Sequence, residues 1–130
     1  MTCVSRIRLR TSWNDGTISF LSDELRLFMT QTSASLAFVF PGQGSQSVGM
    51  LADLAAAHSD VKATFDEASQ GAGVDVWTLS QQGPEDQLNR TDNTQPALLA
   101  ASVAVWRVWQ KVGGAQPAQL SGHSLGEYSA

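Results

Sequence analysis

Ser121-Gly122-His123-Ser124-Leu125-Gly126-Glu127-Tyr128 carries the Gly-x-Ser-x-Gly spacing of a nucleophile elbow. Such an elbow is a sharp strand-to-helix turn. Its glycines remove Cβ atoms that would clash, and its central serine is held on strained backbone at a helix N-terminus. Ser124 is therefore the one candidate nucleophile, with a plain glycine-rich turn as the bland alternative. The elbow needs a strand before it, for which Pro117-Ala118-Gln119-Leu120-Ser121 serves, and a helix opening at Ser124.

Upstream of that strand, the spacing predicts the longest helix from about Thr94 to Val112, ended by Gly113-Gly114, with Pro96 in its first turn. Ser102, Arg107, Gln110 and Lys111 are the polar interruptions of an otherwise apolar run, so burial on more than one side is expected. Trp106 and Trp109, at helical spacing among valines and alanines, read as core residues rather than a ligand box. Further upstream, Pro84-Glu85-Asp86 predicts a helix of one or two turns over residues 84–89. Residues 74–79 alternate weakly and read as irregular. Ser59 or Asp60 caps a helix with Val61, Phe65 and Ala68 on one face, stopped by Gly71 and Gly73. Another helix is expected from Ser45–Ser47 to about His58, with Met50, Leu51, Leu54 and Ala55 on one stripe.

Leu36-Ala37-Phe38-Val39-Phe40, ended by Pro41-Gly42, reads as a strand buried on both faces at the centre of a parallel sheet. The Pro41-Gly42-Gln43-Gly44-Ser45-Gln46 loop after it has glycines on both sides of Gln43, which permit a tight turn and close approach of backbone amides to a ligand. It lacks the Gly-Lys-Ser/Thr of a phosphate loop. The order strand, helices, strand, helix implies an α/β fold with parallel strands. In such sheets ligands bind at the carboxyl ends of strands, which places the PGQGSQ loop and the elbow on one edge.

Composition limits the function classes. With 130 residues, 42% hydrophobic and 15% charged, the chain is globular, and its net charge of −4 argues against a nucleic-acid surface. No apolar run reaches the roughly 18 residues of a membrane span. Cys3 is the only cysteine, which excludes an intramolecular disulfide, argues against a Cys-based zinc site and fits a reducing cytoplasm. Residues 1–28 carry net +1 and leave −5 for the remainder; they are aperiodic and contain turn-forming Asn14-Asp15-Gly16. The reading is a disordered extension or a start placed too far upstream, with Met29 as the natural first residue.

Read together, Phe40-Pro41-Gly42-Gln43-Gly44-Ser45-Gln46, Thr94-Gln95-Pro96-Ala97-Leu98 and Gly122-His123-Ser124-Leu125-Gly126-Glu127 resemble malonyl-CoA:acyl carrier protein transacylase over about residues 30–130. The resemblance implies transfer of a malonyl group from coenzyme A to the thiol of acyl carrier protein in fatty-acid synthesis, through a serine ester on Ser124. The backbone N–H groups of Gln43 and Leu125 match the oxyanion hole. No metal or cofactor is implied; malonyl-CoA and acyl carrier protein are the partners, with no nucleic acid and no membrane. The family's catalytic histidine, its carboxylate-binding arginine and its ferredoxin-like subdomain have no counterpart here. The resemblance thus implies an incomplete parallel-sheet acyltransferase core, α/β-hydrolase-like and cut off after the elbow. An inert truncated product or a partner-binding fragment is the alternative, and a lipase-like or esterase-like hydrolase shares the elbow. A polyketide-synthase acyltransferase module would show linkers, and none is visible.

Neither histidine suits the role of base. His123 precedes Ser124 on an extended strand end, where neighbouring side chains point to opposite faces. His58 ends the helix after the PGQGSQ loop, about 16 Å from the catalytic edge. Glu127, three residues past Ser124, is expected to point along its helix and away from the hydroxyl.

Overall fold

A computed structural model describes residues 36–130; the expectations for residues 1–28 and for a start at Met29 lie outside the described residues. Strands β1 (Ala37–Phe40) and β2 (Gln119–Gly122) form a two-stranded parallel sheet. Ala37 pairs with Gln119, Phe38 with Leu120, Val39 with Ser121 and Phe40 with Gly122. Between them run α1 (Ala52–Ala57), α2 (Ser59–Ala72), α3 (Val76–Gln82), α4 (Glu85–Leu88) and α5 (Thr91–Lys111). Residues Ser124–Tyr128 close the described chain as a 3-10 helix. The expected α/β organisation with parallel strands is thus present.

The core lies between α2 and α5. Ala97, Ala100, Ala104 and Val108 form one buried stripe of α5 facing Val61 and Phe65 of α2, with Val76 and Leu88 closing the ends. Three of the four α5 positions are alanine, which lets the two helices approach closely. Phe65 is fully buried and meets Trp77 edge-on at 5.3 Å, so its burial contributes about 2–3 kcal/mol. Trp106 and Trp109 are half-buried, and both dock edge-on against Phe38, at 5.3 and 5.5 Å. They fasten α5 to one face of β1, a packing role as expected. Arg107 reaches from α5 to α2, where its guanidinium donates to both Glu67 carboxylate oxygens at 2.9 Å and to Thr64 Oγ1 at 3.0 Å.

The structure corrects several expectations. β1 is covered on one face only: Phe40 is buried while Val39 on the opposite face is 73% exposed. The physical reason is that β2 is its sole partner strand among the described residues and α5 packs only on the Phe38 side. α5, by contrast, is covered on more than one side as expected, by α2 along its alanine stripe and by β1 through Trp106 and Trp109, while Leu99 and Val105 stay exposed. An apolar hollow of about 230 Å³ opens between the two elements, lined by Val39, Phe40, Leu98 and Val105 among others.

The helix expected from Ser45 begins only at Ala52, because Gly49 (φ 85°) and Leu51 (φ 62°) are left-handed. That segment is tied to α3 instead: Gly49 N donates to Ser80 O at 2.8 Å and Gln81 Nε2 to Met50 O at 2.9 Å. Residues 76–79, read as irregular, belong to α3. The Asp75 carboxylate caps this helix by accepting from Thr78 N at 2.8 Å and from Thr78 Oγ1 at 2.7 Å. α5 starts three residues before Thr94, so Pro96 sits in its second turn and the bond it would give to the Asp92 carbonyl is missing. The short helix near Pro84 forms as α4. No helix among the described residues is long and apolar enough to cross a membrane.

Candidate active site

The glycines of the elbow are required by contact rather than by backbone angle. A Cβ on Gly126 would overlap the carbonyl of Phe40, and one on Gly122 would overlap the backbone at Gly126 and Glu127. The turn is folded so tightly onto the end of β1 that His123 N donates to Phe40 O at 3.1 Å. Gly42 in the other loop is equally constrained, since a Cβ there would lie 2.8 Å from His123 O and 2.9 Å from His123 Nδ1. The two glycine turns therefore interlock at the carboxyl ends of the paired strands.

Ser124 itself has φ 54°, a left-handed conformation that a non-glycine residue adopts at a cost of about 1–3 kcal/mol. The strained serine expected of an elbow is present. The helix that opens at Ser124 is shorter and tighter than expected: Gly126 N donates to His123 O at 2.9 Å and Ser129 N to Gly126 O at 3.1 Å, both three-residue bonds of a 3-10 turn.

Ser124, Leu125 and Gln43 line one open groove of about 650 Å³, whose other wall is Gln95, Pro96 and Leu99 of α5. All three residues singled out from the sequence are thereby brought together. Ser124 is exposed at this groove, and among the described residues the Gln43 and Leu125 N–H groups beside it carry no backbone acceptor.

Glu127 and Tyr128 also line the groove, and here the sequence reading is corrected. In a 3-10 helix, side chains three residues apart eclipse one another, so Glu127 lies on the Ser124 face instead of pointing away along an α-helix. Gln95 was overlooked as a groove residue, although it stands in the Thr94-Gln95-Pro96 motif; its place depends on where α5 meets the elbow. Neither histidine lines the groove. His123 Nδ1 is directed at Gly42, and His58 is the hinge between α1 and α2.

No lysine or arginine among the described residues lines this groove. Among the described residues each of the four lysines and arginines is ion-paired: Lys62 with Asp66, Arg90 with Asp92, Arg107 with Glu67 and Lys111 with Asp60. Hydrogen bonds from Arg107 and Lys111 hold the Glu67 and Asp60 carboxyls below their ordinary pKa, and Arg90 does the same for Asp92. The one charged side chain lining the groove is the carboxylate of Glu127.

Known proteins share this sequence pattern and fold. A family model described as "Acyl transferase domain" matches residues 37–130. A malonyl CoA-acyl carrier protein transacylase of Salmonella typhimurium is 67% identical over 94 residues, which cover 72% of this chain and 30% of that protein. The crystal structure of an acyl carrier protein S-malonyltransferase from Vibrio cholerae superposes with TM-score 0.73 at 66% identity, covering 75% of this chain and 32% of that one. A malonyl-transacylase solved in complex with a type II PKS acyl-carrier protein gives TM-score 0.73 at 65% identity, over 75% of this chain and 31% of the other. The chain spans about 30% of the length of the curated relatives it matches. It belongs, through residues 37–130, to the acyl transferase domain family and matches the malonyl CoA-acyl carrier protein transacylases within it.

Proposed function

We propose that this chain provides the nucleophile and the oxyanion donors for malonyl transfer from coenzyme A to acyl carrier protein, in the cytoplasm. The observation that carries the reading is Ser124, held in a left-handed conformation in a groove that it shares with the Gln43 and Leu125 backbones. The Ser124 hydroxyl attacks the thioester carbonyl while a base takes its proton. The carbonyl oxygen becomes an oxyanion and accepts from the two N–H groups. Collapse breaks the carbon–sulfur bond, coenzyme A leaves as the thiol with the transferred proton, and a malonyl-serine ester remains. The acyl carrier protein thiol then attacks that ester by the same steps in reverse order and restores the serine.

The base and the cation for the malonyl carboxylate come from outside residues 36–130. No histidine lines the groove, and each lysine and arginine among the described residues already has an acidic partner. Glu127 adds a negative charge to the groove, which makes an external cation the more necessary for an anionic acyl group. By themselves residues 36–130 are therefore expected to bind weakly and not to turn over.

The test is a graft in which residues 37–130 replace the matching stretch of the Salmonella typhimurium transacylase. Malonyl transfer to acyl carrier protein by the graft, lost in Ser124→Ala, supports the reading. Transfer that survives Ser124→Ala, or a graft that folds yet only hydrolyses simple esters, contradicts it.

A further inference from the structure

The Gln43 N–H can stabilise an oxyanion only if its peptide plane is held in one orientation, and glycines on both sides make that plane easy to rotate. In a planar trans peptide the N–H of one residue points opposite to the carbonyl of the residue before it. Whatever holds the Gly42 carbonyl therefore aims the Gln43 N–H. That carbonyl accepts a hydrogen bond from the hydroxyl of Ser45. The next peptide, between Gln43 and Gly44, is held by Gln46, whose Oε1 accepts from Gly44 N at 2.8 Å. Gly44 needs such a restraint, since its φ of 105° and its open surroundings leave no packing to fix it.

Gln46 is itself fixed. Its Nε2 donates to Asn89 Oδ1 at 2.7 Å, on the segment joining α4 to α5. Two residues further on, Thr91 Oγ1 accepts from Gln43 Nε2 at 3.2 Å. The loop is thus bracketed from inside by Ser45 and Gln46, and anchored from outside to the start of the helix that forms the opposite wall of the groove.

We propose that Ser45 and Gln46 are positioning residues that aim the Gln43 N–H into the groove, with Asn89 as the anchor of Gln46. The inference rests on the oxyanion role proposed for Gln43. Neither side chain touches the reacting atoms, so each acts through the peptide planes on either side of Gln43.

The experiment has two parts. In the full 130-residue chain, exchange of the Gly44 amide proton is followed by NMR. It is expected to be slowed relative to an open loop and to speed up by about five- to tenfold in Gln46→Ala, as loss of one net hydrogen bond implies. A Gly44 amide that exchanges at the open-chain rate in the unmodified protein overturns the bracket. In the Salmonella typhimurium graft, the single-turnover rate of serine acylation by malonyl-CoA is measured together with the burst amplitude, which counts competent sites.

Ser45→Ala and Gln46→Ala are each expected to slow acylation about five- to tenfold with an unchanged KM and full burst amplitude. The double variant should approach, and not exceed, the loss of about 100-fold expected when one oxyanion donor is removed. Ser45→Thr keeps the hydroxyl and Asn89→Asp keeps the acceptor, so both should retain most of the rate while Asn89→Ala does not. Reduced amplitude at an unchanged rate per site would mean that the residues only support folding, and would overturn the proposal. Gln43→Pro, which deletes the N–H, separates the two claims. If it acylates at the unmodified rate, the oxyanion reading fails and the inference with it. If it is slow while Ser45→Ala and Gln46→Ala are not, the oxyanion reading stands and the bracket is refuted.

Discussion

Replacing Gly126 by alanine tests whether the elbow and β1 are interlocked. The added Cβ would overlap the carbonyl group of Phe40 and come within 2.9 Å of Pro41 O, and these are backbone atoms without a rotamer that could move aside. The methyl needs displacement on the order of 1 Å between the elbow and the strand end. Overpacking of this kind costs about 1–3 kcal/mol, and a rigid backbone partner places Gly126→Ala at the upper end. The less flexible unfolded chain returns about 0.4–1 kcal/mol. A net loss of about 2 kcal/mol is expected in urea unfolding of the 130-residue chain. In the graft, a 1 Å misplacement of Ser124 should slow acylation by about 100-fold. Gly71→Ala is the control: it lies in α2, has nothing within 4 Å of its would-be Cβ, and should stabilise by about 0.5 kcal/mol. If Gly126→Ala unfolds at the unmodified urea concentration, the close approach of elbow and strand is wrong.

Phe65→Ala removes the largest fully buried side chain and its edge-on contact with Trp77, and should cost about 3–5 kcal/mol in the same unfolding assay. A loss under about 1 kcal/mol would place the core elsewhere. Asp75 has a pKa held below its ordinary 3.8, first by the hydrogen bond from Thr78 N and then by that from Thr78 Oγ1. A depressed folded-state pKa means that the carboxylate's contribution is present above the unfolded pKa and lost as pH falls through the folded one. Stability of the unmodified chain relative to Asp75→Asn should therefore be flat near neutrality and decline on acidification below about pH 4; an advantage that grows in acid would reverse the assignment. Val39→Lys, on the uncovered face of β1, should lower light scattering by the isolated chain without lowering its helix content by circular dichroism. Unchanged scattering would mean that this face is not the site of association.

The features legible in the sequence were those set by short-range chemistry. The apolar run before Pro41-Gly42 gives β1, the Gly-x-Ser-x-Gly spacing gives a serine at φ 54°, and the strand order brings the two glycine turns to one edge. What escaped was set by distant partners. Leu51 is left-handed in a segment whose neighbours Gly49 and Met50 bond to α3, and a helical stripe of apolar residues contains no trace of that constraint. The Asp75 cap was readable in principle, since Asp75 precedes Thr78 by three residues; weak alternation over the same stretch obscured it. Glu127 was misdirected because an α-helix rather than a 3-10 turn was expected after Ser124. The pairing of Gln46 with Asn89 joins residues 43 positions apart, and only the folded chain shows it.

The central claim is that Ser124, in this groove, becomes the acyl carrier. Its most direct measurement is peptide mapping by mass spectrometry after the graft is mixed with malonyl-CoA and quenched before acyl carrier protein is added. One malonyl group on the peptide containing Ser124, absent from Ser124→Ala and cleared when acyl carrier protein is supplied, is the predicted result. A malonyl group found on another residue, or still present in Ser124→Ala, would contradict it.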